Sequence, residues 1–195
     1  MFYAMMTTEG PSGPFALLKQ IECEHAVERS FCDRLEVLAD TLPAIDSAAA
    51  SEAVAILRKS LRRHIALEEG LLLPMLITRA QAEDNVKALR CQVAAEHAAD
   101  EVLAHDIADE LDAAAGSRHV RNPEMLGFML HGYFECRRRH LAWESAVVLP
   151  LAIRRLRESD WQILAQSALE KPLESSHAAR AHAGCGCTGG KKQNG

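Results

Sequence analysis

Two phrases in this chain are near-copies of each other. Residues 62–68 read Arg-Arg-His-Ile-Ala-Leu-Glu and residues 138–144 read Arg-Arg-His-Leu-Ala-Trp-Glu, each followed six residues later by proline, Pro74 and Pro150. Upstream stand Glu24-His25-Ala26 and Glu96-His97-Ala98. Shifts of 72 residues (His25 to His97) and 76 residues (His64 to His140) therefore relate two units of the form His, then His-x-x-x-Glu. A chain so duplicated is constrained to bring its two units together. Four histidines and two glutamates recurring in this way point to a two-metal site between paired helices.

Helical periodicity supports that geometry. Alanine and leucine dominate, aromatics are only 5% of the chain, and the core must come from aliphatic side chains with high helix propensity. The first helix is expected from near Pro14 to before Pro43, with Leu18, Ile21, His25, Cys32, Leu35 and Leu42 on its apolar face. The second runs from Ser51 to about Arg79, its inner face being Val54, Leu57, Leu61, His64, Glu68, Leu71 and Met75. Pro74 should bend it or end its regular hydrogen bonding. The third runs from about Glu83 to a stop at Gly116, with Val86, Leu89, Val93, His97, Glu101, Ala104, Ile107 and Leu111 inward. The fourth opens at Asn122-Pro123 and carries Met129, Tyr133, Cys136, His140, Glu144, Val147 and Leu151 inward. A short fifth follows Ser159-Asp160. Residues 173 onward, small and polar, read as a flexible tail.

Each repeated histidine falls on an apolar stripe. One such histidine is ordinarily a satisfied core residue. Four of them beside two buried carboxylates are different, because an unpaired buried glutamate is costly and a cation removes both charges. His-x-x-x-Glu puts imidazole and carboxylate one turn apart on one face. Mixed imidazole and carboxylate ligation without thiolate suits iron, and less strongly manganese or zinc. Six inward ligands exceed what one closed zinc site needs. With both glutamates and a solvent-derived oxo or hydroxo group bridging, two six-coordinate ions keep about one open position each.

His25, His64-x-x-x-Glu68, His97 and His140-x-x-x-Glu144, with the trailing prolines, resemble the hemerythrin-like cation-binding domain, often called HHE. The resemblance spans roughly residues 14–171. It implies an all-α, antiparallel up-down-up-down four-helix bundle holding a non-haem diiron centre, followed here by a short fifth helix and the 172–195 tail. Members bind oxygen, sense iron or oxygen, handle peroxide, or act in nitric-oxide and iron–sulfur stress responses. The chain departs from the oxygen carriers, which place a further histidine where Glu101 stands and end with His-x-x-x-x-Asp. Here Glu144 comes one residue earlier and Ser145 occupies the aspartate position.

The expected function is accordingly a diiron protein that senses or reacts with dioxygen, peroxide or nitric oxide. The alternative is a non-enzymatic iron sensor, storage or delivery protein. A redox or iron-handling protein partner is expected with either. A net charge of −5 gives no reason to expect nucleic acid. The longest apolar run, Leu71 to Ile77, contains Pro74 and is too short to span a bilayer. With no visible signal peptide the expectation is a cytoplasmic protein with mostly free thiols. The runs Arg62-Arg63 and Arg137-Arg138-Arg139 read as solvated helix faces. Glu101 reads as a possible further ligand or a water-facing residue, Glu24 and Glu96 as possible supports of the imidazoles, and Tyr133 and Cys136 as core. The soft donors His177, His182, Cys185 and Cys187 could capture zinc or copper.

Overall fold

The structure, a computed structural model, describes residues 15–170, with the side chains of Ser60, Leu61 and Glu170 excepted. The tail and its four soft donors lie outside the described residues. Every regular element among the described residues is helical. Helix α1 spans Ala16–Asp40. Helix α2, Ser47–Leu67, continues through a widened turn, Glu68–Leu72, into α3, Leu73–Arg79. Helix α4 is Val86–Ser117. Helix α5, Pro123–Trp143, continues through a second widened turn, Glu144–Val148, into α6, Leu149–Arg155, and α7 is Glu158–Glu170.

The two widened turns are the duplicated motif made visible. Each begins at a repeated glutamate. Leu73 N–H donates to the Glu68 carbonyl and Leu149 N–H to the Glu144 carbonyl, five residues back instead of four. Pro74 and Pro150 have no N–H for the carbonyls of Gly70 and Ala146, and their rings crowd those carbonyls. Opening the preceding turn into a π-bulge relieves the clash. The extra residue advances the buried face by one. Leu72 and Leu76 are therefore buried while Leu71 and Met75 are only half-buried, and Val148 is inside where the plain helical stripe put Val147.

Several helix ends differ from expectation, α4 beginning at Val86 and not near Glu83, and α7 at Glu158 and not after Asp160. Helix α2 starts at Ser47 and not Ser51, because the Asp46 carboxylate accepts from the N–H groups of Ala48 and Ala49. Helix α4 runs through Gly116 and ends where Arg118 turns left-handed (φ 55°), with Ser117 Oγ donating to the Ala113 carbonyl. Asn122 caps α5 as expected, accepting from Met125 N–H.

Helix α1 packs on α5 and α2, and α4 packs on α2 and α5, closing a helical bundle. Two apolar clusters fill it. One gathers Phe31 and Leu35 from α1, Val54, Leu57 and Ile65 from α2, Ile107 and Leu111 from α4, and Leu130 and Phe134 from α5; the other gathers Leu17 and Ile21 from α1, Leu67, Leu72 and Leu76 from α2–α3, Leu89 and Val93 from α4, and Val148, Leu149, Trp161 and Leu164. The four repeated histidines occupy the layer between them. Each leucine, isoleucine or valine fully buried in these clusters contributes about 1.5–3 kcal/mol.

The duplication also organises the far end of the bundle. Arg79 donates from Nε and Nη2 to Asp160 at 2.9 and 2.8 Å, and Arg155 donates likewise to Asp84 at 2.7 and 2.9 Å. Asp84 and Asp160 then accept from the backbone N–H of Gln81 and Arg157. Residues five apart in one repeat thus reach the matching residues of the other. Such reciprocal contacts are what a two-fold relation between the halves produces.

Candidate metal centre

All six predicted residues meet in the middle layer: His25 from α1, His64 from α2, His97 from α4, His140 from α5, and Glu68 and Glu144 from the first positions of the two widened turns. Each is at most 2% exposed. Their ligating atoms fall into two groups, His25, His64, Glu68 and Glu144, and Glu68, His97, His140 and Glu144, each with its atoms within 4.8 Å of one another. Both glutamates belong to both groups.

The spacing is that of neighbouring ligands around an ion. His25 Nε2 stands 3.4 Å from Glu144 Oε2 and 3.7 Å from Glu68 Oε1. His64 Nε2 stands 3.4 Å from Glu68 Oε2. His97 Nε2 stands 3.5 Å from Glu68 Oε2, and His140 Nε2 is 3.0 Å from both Glu144 Oε1 and His97 Nε2. Ligands about 2.1 Å from an ion lie about 3.0 Å apart at right angles and about 3.4 Å apart at tetrahedral angles.

The chemistry of these atoms fits a cation. Both oxygens of Glu68, both of Glu144, and Nε2 of His25 and His64 are buried without a hydrogen-bond partner. Orphans of this kind are rare in folded proteins, and here six lie in one cluster. Burial disfavours a charged imidazole at His25, His64 and His140. The neighbouring carboxylates outweigh it, chiefly Glu144 at His25 and His140 and Glu68 at His64, so all three pKa values are raised. Burial likewise pushes the Glu144 carboxyl up, but the close imidazoles of His140, His25 and His64 hold it well below the usual carboxylate range. Protons and a cation therefore compete for the same atoms.

Outside this cluster each imidazole turns Nδ1 away from the centre. His97 Nδ1 lies 2.9 Å from Glu69 Oε1, and His140 Nδ1 lies 2.6 Å from Glu96 Oε2. His25 Nδ1 lies 3.3 Å from Ser145 Oγ. His64 Nδ1 is 3.8 Å from Glu24 and 3.7 Å from Glu28. Glu24 and Glu96 thus approach the histidine of the next helix and not the one beside them in sequence. Glu69 and Ser145 were not anticipated. Their signal was position: each directly follows a repeated glutamate, and each turns to the single histidine of the other repeat.

A second buried group lies beside the first. Arg137, read from sequence as a solvated charge, is 1% exposed. Its Nε donates to Glu28 Oε2 at 2.7 Å and its Nη1 reaches Asp100 Oδ2 at 3.4 Å. It precedes His140 by three residues and so shares its inward face. Glu28 and Asp100 each follow a single histidine by three, a His-x-x-acid repeat that was legible but overlooked. Glu101 is half-buried and belongs to neither candidate group, whereas its neighbour Asp100 is the residue turned inward. Tyr133 is buried core, as expected, and Cys136 is half-buried. Burial pushes the Cys32 thiol up to about 12, so it stays a thiol. No described helix is long and apolar enough to cross a membrane.

A model of the hemerythrin HHE cation-binding domain family matches residues 16–152, the stretch that carries all six residues. No curated protein and no solved structure gives a significant match.

Proposed function

This chain belongs to the hemerythrin HHE cation-binding family, and on that premise we propose that it holds two iron ions and senses or reacts with dioxygen, peroxide or nitric oxide. One observation carries the reading: two four-residue groups share both Glu68 and Glu144, so one ion in each group would be bridged by both carboxylates. Neither group contains a thiolate, which favours iron over softer ions. The chain passes between the two apolar clusters in alternating order along α1, α2–α3, α4 and α5–α6, which supports an antiparallel up-down-up-down bundle.

Bound iron would supply one-electron chemistry and a coordination position for a small ligand. The protein's own residues do the rest. His25, His64, His97 and His140 present Nε2 inward, Glu68 and Glu144 neutralise positive charge, and the two apolar clusters exclude bulk water. A redox or iron-handling protein in the cytoplasm is the partner this reading calls for.

A second reading, an iron sensor, store or delivery protein, draws on the six orphaned ligand atoms, since a fold that buries them gains most of its local stability from the ion. Absorption spectra of the reduced, iron-loaded chain separate the two. The first reading expects new bands on adding azide, nitric oxide, peroxide or oxygen. Spectra that ignore all four, together with a large rise in melting temperature on iron loading, would favour the second.

A further inference from the structure

The two candidate positions are alike in their inner atoms and unlike in what stands behind them. Because Nε2 of each histidine faces the cluster, Nδ1 carries the proton, and its acceptor sets how basic Nε2 becomes. A carboxylate acceptor gives the imidazole anionic character and strengthens its hold on a cation. A neutral acceptor does so less.

At the His97 and His140 group both acceptors are carboxylates at hydrogen-bond distance, Glu69 at 2.9 Å and Glu96 at 2.6 Å. At the His25 and His64 group neither is. His25 meets Ser145 Oγ, a neutral oxygen whose hydroxyl donates to the Leu141 carbonyl at 2.8 Å. His64 Nδ1 has no hydrogen-bond partner. The carboxylate oxygens nearest it, Glu28 Oε1 at 3.7 Å and Glu24 Oε2 at 3.8 Å, stand beyond hydrogen-bond distance, and Arg137 draws charge from Glu28 through its other oxygen. Arg137 works the other way at His140, but Glu28 and Asp100 balance its charge. Ser145 is exposed, whereas its counterpart Glu69 is half-buried, so water competes more readily for the support of His25 than for that of His97.

We propose that the two cation positions are unequal. The one bounded by His97 and His140 fills first and binds more tightly, the one bounded by His25 and His64 exchanges, and Ser145, standing where the other repeat has Glu69, sets much of the difference. This deepens the two-ion reading above and rests on it.

Titrating the metal-free full chain with cobalt(II) tests it, following visible absorption and the paramagnetically shifted imidazole N–H protons. The first equivalent should shift the protons of His97 and His140, the second those of His25 and His64. The two affinities should differ by about 10- to 100-fold. Ser145→Glu should draw them together, and Glu69→Gln, which keeps the shape and loses the charge, should weaken the first step about tenfold. Should Ser145→Glu not fold, the Glu69→Gln result decides alone. Two cobalts that enter both pairs equally from the first equivalent would overturn the inference and leave the two-ion reading standing. Saturation at a single cobalt would sink both.

Discussion

Changing Glu68 and Glu144 together to glutamine should abolish binding of both ions, not of one. Glu68 Oε1 faces His25 at 3.7 Å, while its Oε2 faces His64 at 3.4 Å and His97 at 3.5 Å. Glu144 Oε2 faces His25 at 3.4 Å, and its Oε1 faces His140 at 3.0 Å. Every imidazole of the layer thus has a shared carboxylate as its neighbour, and losing both charges leaves each position with two neutral rings. His25→Ala or His140→Ala, by contrast, removes a ligand from one group only and should spare about one ion per chain. Metal analysis after dialysis against ferrous iron reads the difference. Melting should follow. A ligand at about a thousand times its dissociation constant contributes about 4 kcal/mol, and each kcal/mol moves a chain of this size by roughly 2–4 °C. The double variant should therefore forgo roughly 8–16 °C per ion on iron addition. Retention of two irons by the double variant would exclude the bridging role.

The largest loss from a single substitution outside the ligand set should come from Arg137→Met. Burial pushes the Glu28 carboxyl up, but the Arg137 guanidinium outweighs it and leaves the pKa lowered. At Asp100, which Arg137 meets only at 3.4 Å, burial wins and the pKa is raised. Arg137 is thus the counter-charge on which Glu28 depends. Without it, both carboxylates stand buried beside an unchanged centre. Removing one partner of a buried ion pair costs about 3–5 kcal/mol, which here means roughly 6–20 °C. The sign with pH is fixed by the same groups. The stability that Glu28 draws from its lowered pKa is present above the ordinary carboxylate range and lost as pH falls through the folded value. In Arg137→Met the uncompensated carboxylates favour protonation, so the deficit should be greatest at neutral pH and shrink on acidification. Adding Glu28→Gln and Asp100→Asn should restore most of the loss, because the buried charges then go together. Urea unfolding of the single and triple variants at two pH values gives all three comparisons.

Much of this was legible in the sequence because the ligands recur. A histidine on an apolar stripe is ambiguous once and informative when repeated, and the doubled unit, a single His and then His-x-x-x-Glu, placed six residues of the candidate centre on four helices. The trailing prolines foretold a disturbance but not its form. Only the backbone hydrogen bonds reveal that each glutamate begins a turn with one extra residue, which is why Leu72 and Val148, and not Leu71 and Val147, face inward. Supporting residues were harder to find, since their partners lie on other helices. Glu69 reaches across the repeats to His97, and Arg137 reaches Glu28 from 109 positions away. Neither local periodicity nor spacing within one helix can register such pairs. Repeat alignment could have raised Glu28 and Asp100, but Arg137 matches Leu61 in the other copy and has no partner in the duplication. A single buried arginine serving two repeated acids is a departure from symmetry that only packing exposes.

The central claim is that one layer of the bundle holds two ions joined by Glu68 and Glu144. X-ray absorption at the iron edge of the fully loaded chain tests it most directly. The irons should show nitrogen and oxygen neighbours without sulfur, and an iron–iron vector at about 3.5–4 Å. A single isolated iron with no second metal in its outer shell, or sulfur among its ligands, would contradict it.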